Sequence, residues 1–313
     1  MGLIKLLKGF SLQSEADSSA TVEKIKEAID VCDSSECTGD CVNEDADEKD
    51  ALQKDEGIFA KLKIDHEQPL YGSSTTSKIH FIIPTSQTDW AHDACMEKPG
   101  SVQAVMQKWI NANSDKYSDI ESEGETIRCS VSSLPIDLLD IDVMKNTKND
   151  VLIFPHFLKI KAVKSDLVAE LLNEVVPLLL KNERGTLLAK DYIEEIKDNS
   201  FILLCSHRTR DKRCGITAPI LEKHFNKHLQ RHHLYRDNSD FRPGGCRVAY
   251  VNHVGGHKFA ANVIIYLKKT HQLIWLGRVT PLHAEPLIEC LIVPNEPKLP
   301  YPEKVRCVAK YKF

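Results

Sequence analysis

Cys205-Ser-His-Arg-Thr-Arg-Asp-Lys-Arg-Cys214, followed further along by His253-Val-Gly-Gly-His257, is the stretch on which the fold and chemistry of this chain turn. Two cysteines with eight residues between them and two histidines with three between them each lie just beyond an apolar run. Cys205 closes Ser200-Phe-Ile-Leu-Leu-Cys205, a buried strand by length and composition, and His253 follows Arg247-Val-Ala-Tyr-Val251, a second one. If these strands are neighbours in a parallel βαβ unit, both loops leave the sheet at its carboxyl edge and four metal-capable side chains can converge. Gly255-Gly256 allows the sharp fold that lets His257 point the same way as His253.

Around these strands, Ala218 to Leu229 reads as a helix begun by Pro219 in its first turn, and Gly244-Gly245 as a turn. Asn262 to Leu267 and Gln272 to Leu276 make a hairpin around Lys268-Lys-Thr-His271, and Pro286 to Ile292 is helical. Strand, helix, strand, strand, strand, helix is the order of a thioredoxin-like domain, expected over residues 198–313. Upstream, Lys78 to Pro84 and Asp150 to Pro155 read as strands, Ser101 to Ala112 and Ser165 to Leu180 as helices, the latter with Ser165 as cap. Asp191 to Asp198 is expected as a helical connection. This alternation predicts an α/β domain over residues 56–190. Pro84-Thr-Ser-Gln-Thr-Asp-Trp-Ala-His-Asp-Ala-Cys95 follows its strand much as the Cys205 loop does, which suggests a duplicated thioredoxin-like fold with a degenerate first copy. Residues 1–55 are rich in Ser, Asp and Glu; apart from a helical stretch near Thr21 to Val31 they read as a flexible acidic tail containing Cys32, Cys37 and Cys41.

The whole chain limits the function. With 313 residues, 42% of them hydrophobic, there is material for two ordinary cores. A net charge of −4 argues against nucleic-acid binding, which needs a basic face. No apolar run approaches the roughly eighteen residues of a membrane span, and the apolar-basic N-terminus lacks the features of a targeting peptide. A soluble cytoplasmic protein is expected, with the nucleus also compatible. Ten cysteines without a secretion signal favour metal or redox chemistry over a disulfide scaffold.

Thiolate plus imidazole suits zinc or an iron-sulfur cluster. Structural zinc sites typically use closely spaced cysteine knuckles, from which Cys-x8-Cys departs, so a 2Fe-2S cluster on Cys205, Cys214, His253 and His257 is expected. Other candidates are weaker. Cys129, Cys246, Cys290 and Cys307 sit in apolar or β-type sequence as small buried side chains. His224, His228 and His232 recur at helical spacing, but Lys223, Lys227 and Arg231 crowd them and no carboxylate shares their stripe, so a solvated face is expected. His207, inside the cysteine loop, is the competing ligand. Around Cys37-Thr-Gly-Asp-Cys41 the acids oppose thiolate formation.

Cys205-Ser-His-x-Thr-Arg-Asp-Lys-Arg-Cys214-Gly, His253-Val-Gly-Gly-His257-Lys-Phe-Ala-Ala-Asn262 and Leu273-Ile-Trp-Leu-Gly-Arg278-Val-Thr-Pro together resemble the sucrase/ferredoxin-like family. The likeness extends through Ile79 to Asp93 and Lys304 to Cys307. It implies a C-terminal thioredoxin-like ferredoxin domain with a bis-histidine, non-Rieske 2Fe-2S cluster on Cys205, Cys214, His253 and His257. The sucrase label implies nothing here, because no carboxylate pair is framed for glycoside cleavage. One-electron transfer with a proton carried on a histidine is the expected activity, rather than an enzyme with its own substrate. Arg208, Arg210, Lys212 and Arg213 form a basic loop fit for an acidic electron donor such as the flavodoxin-like domain of a diflavin reductase. Lys258 and Asn262 are candidates for supporting hydrogen bonds. Two other readings stay open: a thiol oxidoreductase using Cys205 and Cys214, and an adaptor with structural zinc.

Overall fold

The computed structural model describes residues 19–32, 46–117 and 126–313. Cys37 and Cys41 lie outside them. The described N-terminal pieces comprise helix α1 (residues 19–26), strand β1 (Asp30–Val31) and helix α2 (Ala46–Phe59). A first α/β unit follows: β2 (Ser77–Pro84), α3 (Val102–Tyr117), β3 (Thr126–Ser132), the short α4 (Ile141–Met144), β4 (Lys148–Phe154), β5 (Leu158–Lys164), α5 (Val168–Leu180), α6 (Arg184–Leu188) and β6 (Ile193–Glu195). The second unit runs β7 (Ser200–Cys205), α7 (Lys212–Arg231), β8 (Cys246–Val251), β9 (Val263–Leu267), β10 (Gln272–Leu276), α8 (Ala284–Leu287, continued by a π turn over Ile288–Ile292), β11 (Lys298–Leu299) and β12 (Val305–Lys310).

Both units have one topology. In the second, β7 is central and parallel to β8, with β9, β10 and β12 added antiparallel on its other side. In the first, β2 is central and parallel to β3, with β4, β5 and β6 added antiparallel in the same sense. Each unit thus repeats strand, helix, strand, strand, strand, helix, and the expected α/β class and internal repeat are both met. The half-sheets join at a single bridge, Ser132 to Val251, where the carboxyl ends of β3 and β8 meet. They also share a core, in which Phe154 stacks on Tyr266 at 4.7 Å and meets Phe201 edge-on at 4.9 Å. Phe201, Ile202, Leu203 and Leu204 are all buried, the mark of a central strand covered on both faces.

Several expectations need correction. Helix α7 starts at Lys212 rather than Ala218, because the Asp211 carboxylate accepts from the Arg213 N–H and caps it, and Pro219 lies inside the helix. Cys214 is therefore in the first helical turn. Ser165 does not cap α5, whose preceding residue Leu167 makes no side-chain cap bond. The connection at 191–198 is strand β6, paired with β5, not helix.

The acidic N-terminal region is folded wherever it is described. Ile25 and Ile29 enter the core of the second unit, and β1 pairs in parallel with β11. Helix α2 lies along α7: Asp55 takes bonds from Lys223 at 2.9 Å and His224 at 2.8 Å, while Glu48 bridges Lys227 and Arg231. His224 and His228 are consequently buried, so the expected solvated face is instead an interface. The physical reason is charge complementarity: an acidic helix too polar to fold alone is ordered by a basic one.

Candidate metal centre

Parallel pairing places Cys205 opposite Val251, so the cysteine and histidine loops leave the sheet side by side. One ligand atom from each of Cys205, Cys214 and His253 lies within 4.8 Å of the others. The two sulfurs are buried and His253 is half-buried. His257 is exposed, with its Nδ1 3.5 Å from Nε2 of His253 and the ring centroids 5.2 Å apart. Three of the four expected ligands thus converge and the fourth stands beside them at the surface. Gly255 and Gly256 take φ of 90° and 67°, the left-handed turn that glycine tolerates.

The donor set suits a metal or cluster. His253 Nδ1 is buried without a hydrogen-bond partner among the described residues, the kind of orphaned group that calls for an occupant. Cys214 lies in the first turn of α7, close to the positive end of its dipole. Between the thiols, the hydrogen bond with Cys214 pulls Cys205 well below its ordinary pKa; burial opposes this and His253 assists it. The same bond and burial push Cys214 strongly upward, so the pair shares a proton that a bound cation would displace.

His207 is held away from metal by its own bonds. Its Nδ1 accepts from the His253 N–H at 3.1 Å, and its Nε2 faces the Trp90 carbonyl at 3.0 Å, so both ring nitrogens are committed. The loop after β2 thereby braces the site from the other unit. Ser206 Oγ donates to Thr88 O at 2.7 Å and Thr209 bonds the Asp89 carboxylate.

The basic loop divides in two. Arg213 pairs with Asp211 at 2.7 Å and donates to Lys63 O, so it is consumed internally. Arg208, Arg210 and Lys212 are exposed, with Arg210 donating to the His92 carbonyl at 3.0 Å. Arg208 packs over Gly215, where an added Cβ would sit 2.4 Å from the Arg208 Cβ. Lys258 turns aside to Gln68 and, at 3.9 Å, to Asp65. Asn262 holds the histidine loop: its Nδ2 donates to Gly256 O at 3.2 Å.

Arg306 is the residue that spacing could not reveal. It lies in β12, 1% exposed, and its guanidinium donates to Gly255 O at 2.9 Å, Asn262 Oδ1 at 2.6 Å, Ser73 Oγ at 3.0 Å and Ser73 O at 2.8 Å. It lies over the rings of Trp275 and Phe259. An added Cβ on Gly256 would stand 2.3 Å from one of its nitrogens. The family resemblance included Arg306, but without a role.

Comparison with known proteins adds a lineage. The sucrase/ferredoxin-like family model matches residues 70–307. Actin patches distal protein 1 of Saccharomyces cerevisiae is 52% identical over 299 residues, 93% of this chain and 92% of that protein. Altered inheritance of mitochondria protein 32 is similar over a shorter stretch: 36% identity over 104 residues in Debaryomyces hansenii and 31% over 117 residues in Candida glabrata, about a third of each chain. No solved structure matches. No helix among the described residues is long and apolar enough to cross a membrane.

Proposed function

The chain belongs to the sucrase/ferredoxin-like family, and we propose that it is a one-electron carrier holding a 2Fe-2S cluster on Cys205, Cys214, His253 and His257. The observation that carries this reading is the meeting of two buried sulfurs and the His253 ring at one loop mouth, with the His257 ring beside them in solvent. When bound, such a cluster takes up and releases single electrons. Two neutral imidazoles in place of two thiolates remove about two negative charges, which makes electron uptake easier.

The chain's own residues do the rest. Cys205 and Cys214 anchor the buried side, and His207, Asn262 and Arg306 fix the histidine loop. The exposed His257 ring can exchange a proton with water, so electron uptake is coupled to protonation there. Arg208, Arg210 and Lys212 present positive charge beside the site to an acidic donor, for which the flavodoxin-like domain of a diflavin reductase is suited. The name of the yeast relative refers to actin patches, and for this chain we propose a cytoplasmic role in redox homeostasis with an indirect link to actin patch organisation.

The test is metal and sulfide analysis of protein purified without oxygen, with absorption and electron paramagnetic resonance spectra before and after dithionite. About two irons and two sulfides per chain, with a signal on reduction, are expected. Zinc alone would support the structural adaptor, and an absence of metal after reconstitution would support thiol chemistry at Cys205 and Cys214.

A further inference from the structure

Arg306 makes all its hydrogen bonds to neutral acceptors, and no carboxylate pairs with it among the described residues. Taking a cation out of water is costly unless a negative group answers it. Burial lowers its pKa to about 10, which leaves it charged at neutral pH. Two of its acceptors, Gly255 O and Asn262 Oδ1, belong to the turn and the following residue that carry the histidine pair. The neighbouring thiols of Cys307 and, more weakly, Cys205 hold the Arg306 pKa up, while the nearby Arg128 adds to the lowering. By contrast, Arg213 at the same end of the molecule has Asp211 as a partner of its own.

A cluster on two thiolates and two neutral imidazoles has about zero net charge when oxidised and about one negative charge after taking up an electron. An unpaired buried cation beside it therefore favours the reduced state over the oxidised one. Resting on the electron-carrier reading above, we infer that Arg306 is the fixed counter-charge of the reduced cluster. It raises the cluster's potential as well as clamping the histidine loop, and is thus a positioning and tuning residue that touches no electron donor.

The test is a potentiometric titration of the full-length, anaerobically purified protein, followed by electron paramagnetic resonance. Arg306→Met is expected to lower the ratio of reduced to oxidised cluster at the wild-type midpoint at least tenfold, a midpoint fall of about 59 mV or more for one electron. Arg306→Lys, which keeps the charge, is expected to fall by less. Ser73→Asp leaves Arg306 and its bonds to Gly255 and Asn262 in place but supplies the missing carboxylate, and its midpoint is also expected to fall. A Ser73→Asp midpoint equal to wild type overturns the inference, even where Arg306→Met has lost its iron, and leaves the electron carrier standing. Wild-type protein that holds no cluster overturns both.

Discussion

The backbone N–H of His253 donates to Nδ1 of His207 across 3.1 Å, so one histidine of the site is held in place by another that cannot itself bind metal. With His207 Nε2 on the Trp90 carbonyl, the imidazole joins the two units at the mouth of the site. His207→Ala should remove both bonds and leave a buried backbone donor unpaired, at a cost of about 1–3 kcal/mol. Thermal denaturation should show a lower Tm, while iron per folded chain and the visible spectrum stay as in wild type. A spectrum of changed shape would make His207 a ligand.

Gly255 and Gly256 differ in what stands behind them. A Cβ at Gly255 meets nothing within 4 Å, whereas one at Gly256 meets the Arg306 guanidinium between 2.3 and 2.7 Å. Both substitutions strain a left-handed residue, but only Gly256→Ala must also displace a buried cation that is bonded on several sides. Iron retention after gel filtration should therefore drop further in Gly256→Ala than in Gly255→Ala. Equal retention would mean that Arg306 does not support the loop.

Replacing His257 by cysteine exchanges a neutral ligand for an anionic one. His257→Cys should keep the cluster and lower its midpoint, since each added thiolate brings about one negative charge. The dependence of the midpoint on pH should weaken in the same variant. A midpoint that rises, or a pH dependence as steep as in wild type, would remove His257 from the site of proton exchange.

Acid stability follows from histidines buried in their neutral form. Burial lowers His80 to about 3 and His156, His228 and His283 each to about 4. An unfolded histidine titrates near 6.5, so below that pH the unfolded chain binds more protons than the folded one. These groups contribute stability that is present above about pH 6.5 and is lost as pH falls toward 4. A tenfold difference in proton affinity between the folded and unfolded chain is worth about 1.4 kcal/mol, so the loss over that window is large against an ordinary folding free energy. Urea midpoints should decrease steadily from pH 7 to pH 5. A flat profile would show that these side chains protonate without unfolding the chain.

The strands that carry the site were legible because β7 is a short, continuous apolar run and β8 a short β-type run broken only by Arg247, and a parallel pair fixes where the following loops leave. The start of α7 was not. Lys212-Arg213-Cys214-Gly215 has the look of a basic loop, and Pro219 looks like a first-turn residue, yet the Asp211 cap sets the helix start earlier. The N-terminal region misled for a different reason. Its acidity predicts disorder only so long as the matching basic face on α7, far along the chain, is out of view. Arg306 had no spacing signal of its own, because its acceptors come from residues around 73, 255 and 262 that only the fold brings together.

The central claim is that two imidazoles and two thiolates hold the cluster, and pulsed electron paramagnetic resonance of the dithionite-reduced protein tests it most directly. Two strongly coupled nitrogens are predicted, both shifting on incorporation of 15N-histidine and one of them lost in His257→Cys. A reduced signal without histidine nitrogen coupling, or with the coupling of a single ring that survives in His257→Cys, would contradict the account.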